Sequence, residues 1–112
     1  MSDTVILVTR YGMGNADEKL QLTLIAKYFG LLLQNGSLPS AICFYTDGVK
    51  LVCEGSPVVE QLQRLESNKV RLIVCSTCMN SFGLSDKLQV GIMGGMGDII
   101  EAQTKAKKVI TI

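Results

Sequence analysis

Along the chain, short apolar runs alternate with longer stretches whose hydrophobic positions recur at helical spacing. Thr4–Thr9 (TVILVT) is β-branched and almost wholly apolar, the pattern of a central strand covered on both faces. Turn residues Tyr11–Asp17 lead into the longest helical stretch, Glu18 to Gln34. Its polar positions Lys19, Thr23, Lys27, Gly30 and Gln34 form one narrow stripe, and apolar residues cover more than half the circumference. That exceeds what one sheet face requires, so a partner subunit or a crowded monomer core must absorb the surplus. Asn35-Gly36 predicts an αL-type cap. A second strand over Ala41–Tyr45 precedes an Asp47-Gly48 turn and a short apolar piece, Val49–Cys53.

Ser56-Pro57 predicts an N-cap with proline at the first helical position, and Val58, Val59, Leu62 and Leu65 mark the buried face of that second helix. Val70–Val74 is the third strand; it runs into Cys75-Ser76-Thr77-Cys78 and a short helix ending at Phe82-Gly83. Val90–Met93 predicts a fourth strand and Gly94–Gly97 a tight αL turn. Asp98 to Glu101 has capping-box spacing, and Lys105, Lys107 and Lys108 suit a helix C-terminus. Val109–Ile112 closes the chain as strand five. Strand–helix alternation with connections of roughly 2–6 residues implies βαβ crossovers. The expected fold is a three-layer α/β/α sandwich around a five-stranded, mostly parallel sheet, a single domain over residues 1–112. Ligands of such sheets sit at the carboxyl ends of the strands. There the chain places Gly12, Gly14 and Asn15 after strand one, Cys75 and Cys78 after strand three, and Gly94, Gly95 and Gly97 after strand four.

Composition narrows the chemistry. The chain has no His, which removes Ser-His-Asp triads, Cys-His pairs and imidazole relays. Eleven basic against ten acidic residues leave +1, with no electrostatic footprint for nucleic acid or membrane lipid. Leu20–Leu33 is interrupted by Lys27 and Gly30 and falls short of the ~18–20 apolar residues a membrane span needs. The N-terminal Met1-Ser2-Asp3-Thr4 lacks the basic region of a secretion signal, so a cytoplasmic protein is expected, in a compartment that keeps thiols reduced.

Four cysteines are therefore the first candidates for chemistry. Cys75-x-x-Cys78 stands at a strand-to-helix junction, where backbone N–H groups lower a thiol's pKa. Such a thiolate attacks disulfides, accepts sulfur as a persulfide or binds metal; alternatively, the pair is two small hydrophobes at a crowded junction. Zinc would need Cys43 and Cys53 as well, and Cys43 lies mid-strand like a core residue, so no metal is expected. Gly12-x-Gly14 lacks the third glycine of a dinucleotide fingerprint, and no P-loop lysine follows, so no cofactor is expected. The Gly94–Gly97 loop either cradles an anion or merely turns the chain. Without an imidazole, backbone dipoles or a nearby lysine must activate Cys75, which suits passing sulfur between thiols better than hydrolysis.

The segment Val70-Arg-Leu-Ile-Val-Cys75-Ser-Thr-Cys78-Met-Asn-Ser-Phe-Gly83 resembles the Cys-Gly-Thr-Cys-x₄-Gly signature of the DsrE/DsrF-like family, most nearly the DsrE-like domain of YedF-type proteins linked to selenium metabolism. Leu38-Pro39, Asp47–Leu51, Val90-Gly91 and Ala106–Ile112 extend the similarity over the whole chain. The resemblance implies a five-stranded α/β/α fold and homo-oligomers, trimers or hexamers. It implies a sulfurtransferase-like relay in which Cys75, eight residues before Gly83, holds the persulfide, and Cys78 either resolves it or forms a transient disulfide. Ser76 replaces the usual glycine, and Met93–Gly97 stands where a Thr-Asn-Met-Tyr run is usual. The TusA-like domain that precedes the YedF-type domain has no counterpart before strand one, so a TusA-like or other small sulfur carrier is expected in trans. A dithiol redox protein using Cys75 and Cys78, or a non-catalytic oligomeric binding module with both thiols buried, are the alternatives.

Overall fold

The computed structural model describes residues 1–112. Its elements follow in the order β1 (Thr4–Val8), α1 (Glu18–Asn35), β2 (Ala41–Phe44), a 3₁₀ helix (Thr46–Val52), α2 (Val59–Ser67), β3 (Arg71–Cys75), α3 (Ser76–Ser81), β4 (Ile92–Gly94), α4 (Met96–Lys105) and β5 (Lys108–Thr111). The five strands form one sheet in the order β4-β3-β2-β1-β5, and every adjacent pair is parallel. β1 and β2 are buried along their whole length, which accounts for their unbroken apolar runs.

The strand order determines where the helices go. From β1 to β4 the chain steps across the sheet in one direction, then α4 carries it back past every strand to β5. Right-handed crossovers therefore place α1, α2 and α3 on one face and α4 on the other. Consistently, α4 residues Glu101, Ala102 and Lys105 share a cleft with Val5, Ala41 and Arg71, which lie in one register row. On α1, Ile25, Phe29 and Leu32 point into the core. The Gln61 side-chain amide of α2 donates to the Ala26 carbonyl of α1 at 3.0 Å and ties the two helices together. The apolar surplus of α1 resolves into this buried stripe and a second stripe, Leu20, Leu24 and Leu31, that lies exposed. Asp17 caps the helix by accepting the Leu20 N–H at 2.8 Å, and the Gly36 N–H closes it onto the Leu32 carbonyl.

Four local expectations are corrected. The Asp47-Gly48 turn and the apolar piece that follows it join in one 3₁₀ helix, Thr46–Val52, with Cys53 as its C-cap. α2 starts at Val59 rather than directly after Ser56: the Ser56 hydroxyl accepts the Val58 N–H at 3.2 Å as a cap would, but Val58 itself, at φ −115 and ψ 9, is not yet helical. β4 is Ile92–Gly94, two residues later than Val90: Gly91 adopts φ +87 and gives its N–H to Glu66, so the ladder begins only at the Ile73–Ile92 pair. α4 ends at Lys105, which leaves Lys107 in the connection and Lys108 in β5.

Candidate functional site

In open α/β sheets, ligand crevices form where loops from adjacent strands leave toward opposite faces. Here that point lies between β3, which continues into α3, and β4, which continues into α4. The residues ending these two strands, Cys75 and Gly94, are register partners. Cys75 and the first of the strand-four glycines thus stand side by side at the switch point.

Cys75 ends β3 and precedes the first residue of α3, and it is buried, 1% exposed. Its strand position directs the side chain to the same face as Cys43 and Ile73, inward. Cys78, one turn into α3, is partly exposed and is the only cysteine that is not buried. Its sulfur accepts the Thr46 backbone N–H at 3.1 Å. Burial pushes the Cys78 thiol pKa up; the Thr46 N–H pulls it down, and the neighbouring Cys75 thiol, through its hydrogen bond and charge, pushes it up again. The two sulfurs therefore act as one unit with a single backbone donor aimed at the outer member. Of the two activators expected, a backbone N–H is present; Lys50, in the adjoining 3₁₀ helix, has its Nζ 2.8 Å from Asp47 and 4.6 Å over the Phe82 ring.

Thr46 escapes any sequence pattern, because its role resides in its backbone. It is a non-glycine residue at φ +49, a conformation rare for β-branched side chains. Three contacts hold it and its turn in place. Its hydroxyl donates to the Thr9 carbonyl at 2.7 Å, the Tyr45 N–H donates to the Val8 carbonyl at 3.2 Å, and Gly48 lies so close to Val8 that a Cβ there would collide with the carbonyl oxygen. The end of β1, the exit of β2 and the first turns of α3 thus converge on Cys78.

The glycine loops divide. Gly12 (φ +130) packs against the Gln21 backbone, and Met13 N–H bonds the Gln21 carbonyl at 3.0 Å. The loop after β1 is thereby folded onto the start of α1, with Gly14 and Asn15 exposed at its tip. The Gly94–Gly97 segment is not an αL turn. Gly94 belongs to β4, Gly95 is the N-cap of α4 and Gly97 lies inside that helix; none has positive φ. Asp98 is the third helical residue instead of the cap, and its carboxylate accepts the Gly95 N–H at 2.8 Å. An internal anion thus already occupies the position an external one would take. Of the other cysteines, Cys43 is fully buried mid-β2. Cys53 is buried with its sulfur 3.1 Å from the Val49 carbonyl and 3.6 Å from Met79 Sδ. No group of three or more Cys, Asp or Glu is disposed to hold a metal ion, and no helix is long and apolar enough to cross a membrane.

A recess of about 430 Å³ opens between the loop after β1, the 3₁₀ helix and the end of α3, lined by Tyr11, Lys50, Cys53, Glu54, Phe82 and Leu84. It shares the 3₁₀ helix and α3 with the Cys78–Thr46 contact. Burial raises the Tyr11 phenol pKa and Glu18 adds to this, while Lys50 opposes both.

The model of the DsrE/DsrF-like family matches residues 3–112. Among solved structures, the chain resembles MTH1491 from Methanobacterium thermoautotrophicum, a protein of unknown function, with a TM-score of 0.71, 20% identity and 97% of each chain covered. The ychN protein from E. coli aligns with a TM-score of 0.70 and 20% identity over 97% of this chain and 98% of that one. BT1422 from Bacteroides thetaiotaomicron, a conserved protein of unknown function, gives 0.70 and 18% over 100% and 98%. No curated protein sequence matches the chain. At these identities the structural likeness concerns the fold.

Proposed function

Because the chain belongs to the DsrE/DsrF-like family, we propose that it is a sulfur-relay protein that carries sulfane sulfur, or its selenium analogue, as a persulfide on the Cys75–Cys78 pair. The observation that carries this reading is the placement of both thiols at the β3/β4 switch point, with a backbone N–H directed at the outer sulfur. Cys75 is the position that the family pattern designates, and Cys78 is the member that solvent reaches. Sulfur exchange needs a thiolate attacking sulfur and a thiolate leaving it, and no water activation, which fits a chain without histidine. The donor or acceptor would be a TusA-like or other small carrier acting in trans in the cytoplasm. In this reading, Gly94, beside Cys75, forms one wall of the docking edge, and the Gly12–Asn15 loop a more distant one.

The exposed leucine stripe of α1 supports a homo-oligomer, since Leu20 is 47% and Leu31 54% exposed; trimers or hexamers are what the family resemblance implies. Sedimentation of Leu24→Asp/Leu31→Asp against the wild type tests this part. The central test is intact-mass analysis after incubation with a small-molecule persulfide donor. Wild type should gain 32 Da per sulfur, about the mass of one sulfur atom, and Cys75→Ser/Cys78→Ser should gain none. Equal uptake by both, or by neither, removes the relay.

A further inference from the structure

A threonine held at positive φ with its N–H on a cysteine sulfur calls for an explanation that packing alone does not supply. Strained backbone persists only where surrounding contacts over-determine it. At Thr46 those contacts are the hydroxyl on the Thr9 carbonyl and the tight approach of Gly48 to Val8. Their combined effect is directional: they fix the orientation of the Thr46 peptide, whose N–H lies 3.1 Å from Cys78 Sγ. Cys75 cannot serve as the first point of contact for a bulky donor, being 1% exposed.

We infer that Thr46 is the positioning residue of the sulfur-transfer site, and that sulfur enters and leaves through Cys78. This rests on the sulfur-carrier reading of the thiol pair and adds to it the entry atom and the group that steadies its charge. In the uptake step, the Cys78 thiolate attacks the outer sulfur of a donor persulfide, R–S–SH. A bond forms between Cys78 Sγ and that sulfur as the donor S–S bond breaks. The donor leaves as the thiolate R–S⁻, and the transferred sulfur keeps its proton. In delivery, an acceptor thiolate attacks the same outer sulfur and Cys78 leaves as a thiolate. In both directions the negative charge rests on Cys78 Sγ in the free carrier, where the Thr46 N–H points, and a better-stabilised leaving thiolate departs faster. The titratable group that acts on it is the Cys75 thiol; the charges of the adjoining 3₁₀ helix, Asp47 and Lys50, are paired with each other at 2.8 Å.

The test reads the protonation of Cys78 itself. Alkylation of the native protein by iodoacetamide, mapped to the Cys78 peptide across pH, gives its thiolate midpoint and its plateau rate. Thr46→Val removes the hydroxyl anchor and keeps the branched shape. It should raise the midpoint and slow labelling at pH 7 by about threefold to tenfold, with an unchanged plateau at high pH. Thr46→Ser keeps the anchor and should label like the wild type. Replacing the Thr46 amide by an ester, which deletes the N–H alone, should raise the midpoint even if Thr46→Val is poorly folded. An unmoved midpoint in the ester variant, or a Thr46→Ser shift as large as that of Thr46→Val, overturns the assignment. A raised midpoint in a protein that takes up no sulfur overturns the relay and leaves the positioning role of Thr46 standing.

Discussion

Cys43 and Cys75 point to the same side of neighbouring strands, yet the middle of the sheet and its carboxyl edge treat a thiol differently. Around Cys43 every backbone group is engaged in the ladders to β1 and β3, and desolvation pushes the thiol pKa up to about 11 against a partial opposing pull from Arg71. At the edge the ladder ends. There, a backbone N–H freed from sheet pairing becomes available to a sulfur, and the Thr46 N–H takes Cys78. Full burial makes the Cys43 thiol a small hydrophobe; partial exposure leaves Cys78 open to reagents, with one backbone N–H opposing the burial and the Cys75 thiol that together raise its pKa.

The widest separation between the two regions should appear in labelling. With Cys78 open to reagent and Cys43 reachable only through unfolding, native-state alkylation of Cys78 should outpace that of Cys43 by at least about 1000-fold. Comparable rates in a peptide-resolved time course would erase the contrast. Next in size is Phe44→Ala, which empties a fully buried site beside Cys43. It should cost about 3–5 kcal/mol in urea unfolding, whereas Cys78→Ser should fall well below that. Alkaline pH gives a third separation. Folded Cys43 keeps its proton up to about pH 11, while the unfolded chain loses it from 9.0, so its stabilisation is complete below pH 9 and lost between 9 and 11. That loss is about 3 kcal/mol. In Cys43→Ala the urea midpoint should decline less over this range. Smallest is Asp98→Ala, which releases the Gly95 N–H and should cost about 1 kcal/mol. It should leave Cys78 labelling unchanged; a change there would tie the α4 cap to the thiol pair.

Much of this architecture was legible in the residues. The β-branched run Thr4–Val8 and the Val70–Val74 run are strands because nothing else buries such sequences on two faces, and Asp17 and Gly36 bracket α1 through local hydrogen bonds. Cys75-x-x-Cys78 was visible for the same reason: strand, junction and helix are sequence neighbours. What failed was local punctuation decided by distant partners. Val90 continues the apolar pattern of a strand, but Gly91 gives its N–H to Glu66, 25 residues away, and the ladder starts only at Ile92. Closer at hand, three glycines in four residues suggest a turn, yet Gly94 ends β4, Gly95 caps α4 with its N–H on the Asp98 carboxylate, and Gly97 lies within the helix.

By itself, then, the sequence determined which segments are strands and helices, and that two thiols stand together after the third strand. Hydrophobic period and chain adjacency are properties of neighbours along the chain. Only the tertiary structure decided that Cys75 faces the core and Cys78 faces out, and that the donor for the outer sulfur comes from Thr46, 32 residues away. That donor is a backbone N–H, a group every non-proline residue carries, and its direction exists only once β1, β2 and α3 have come together.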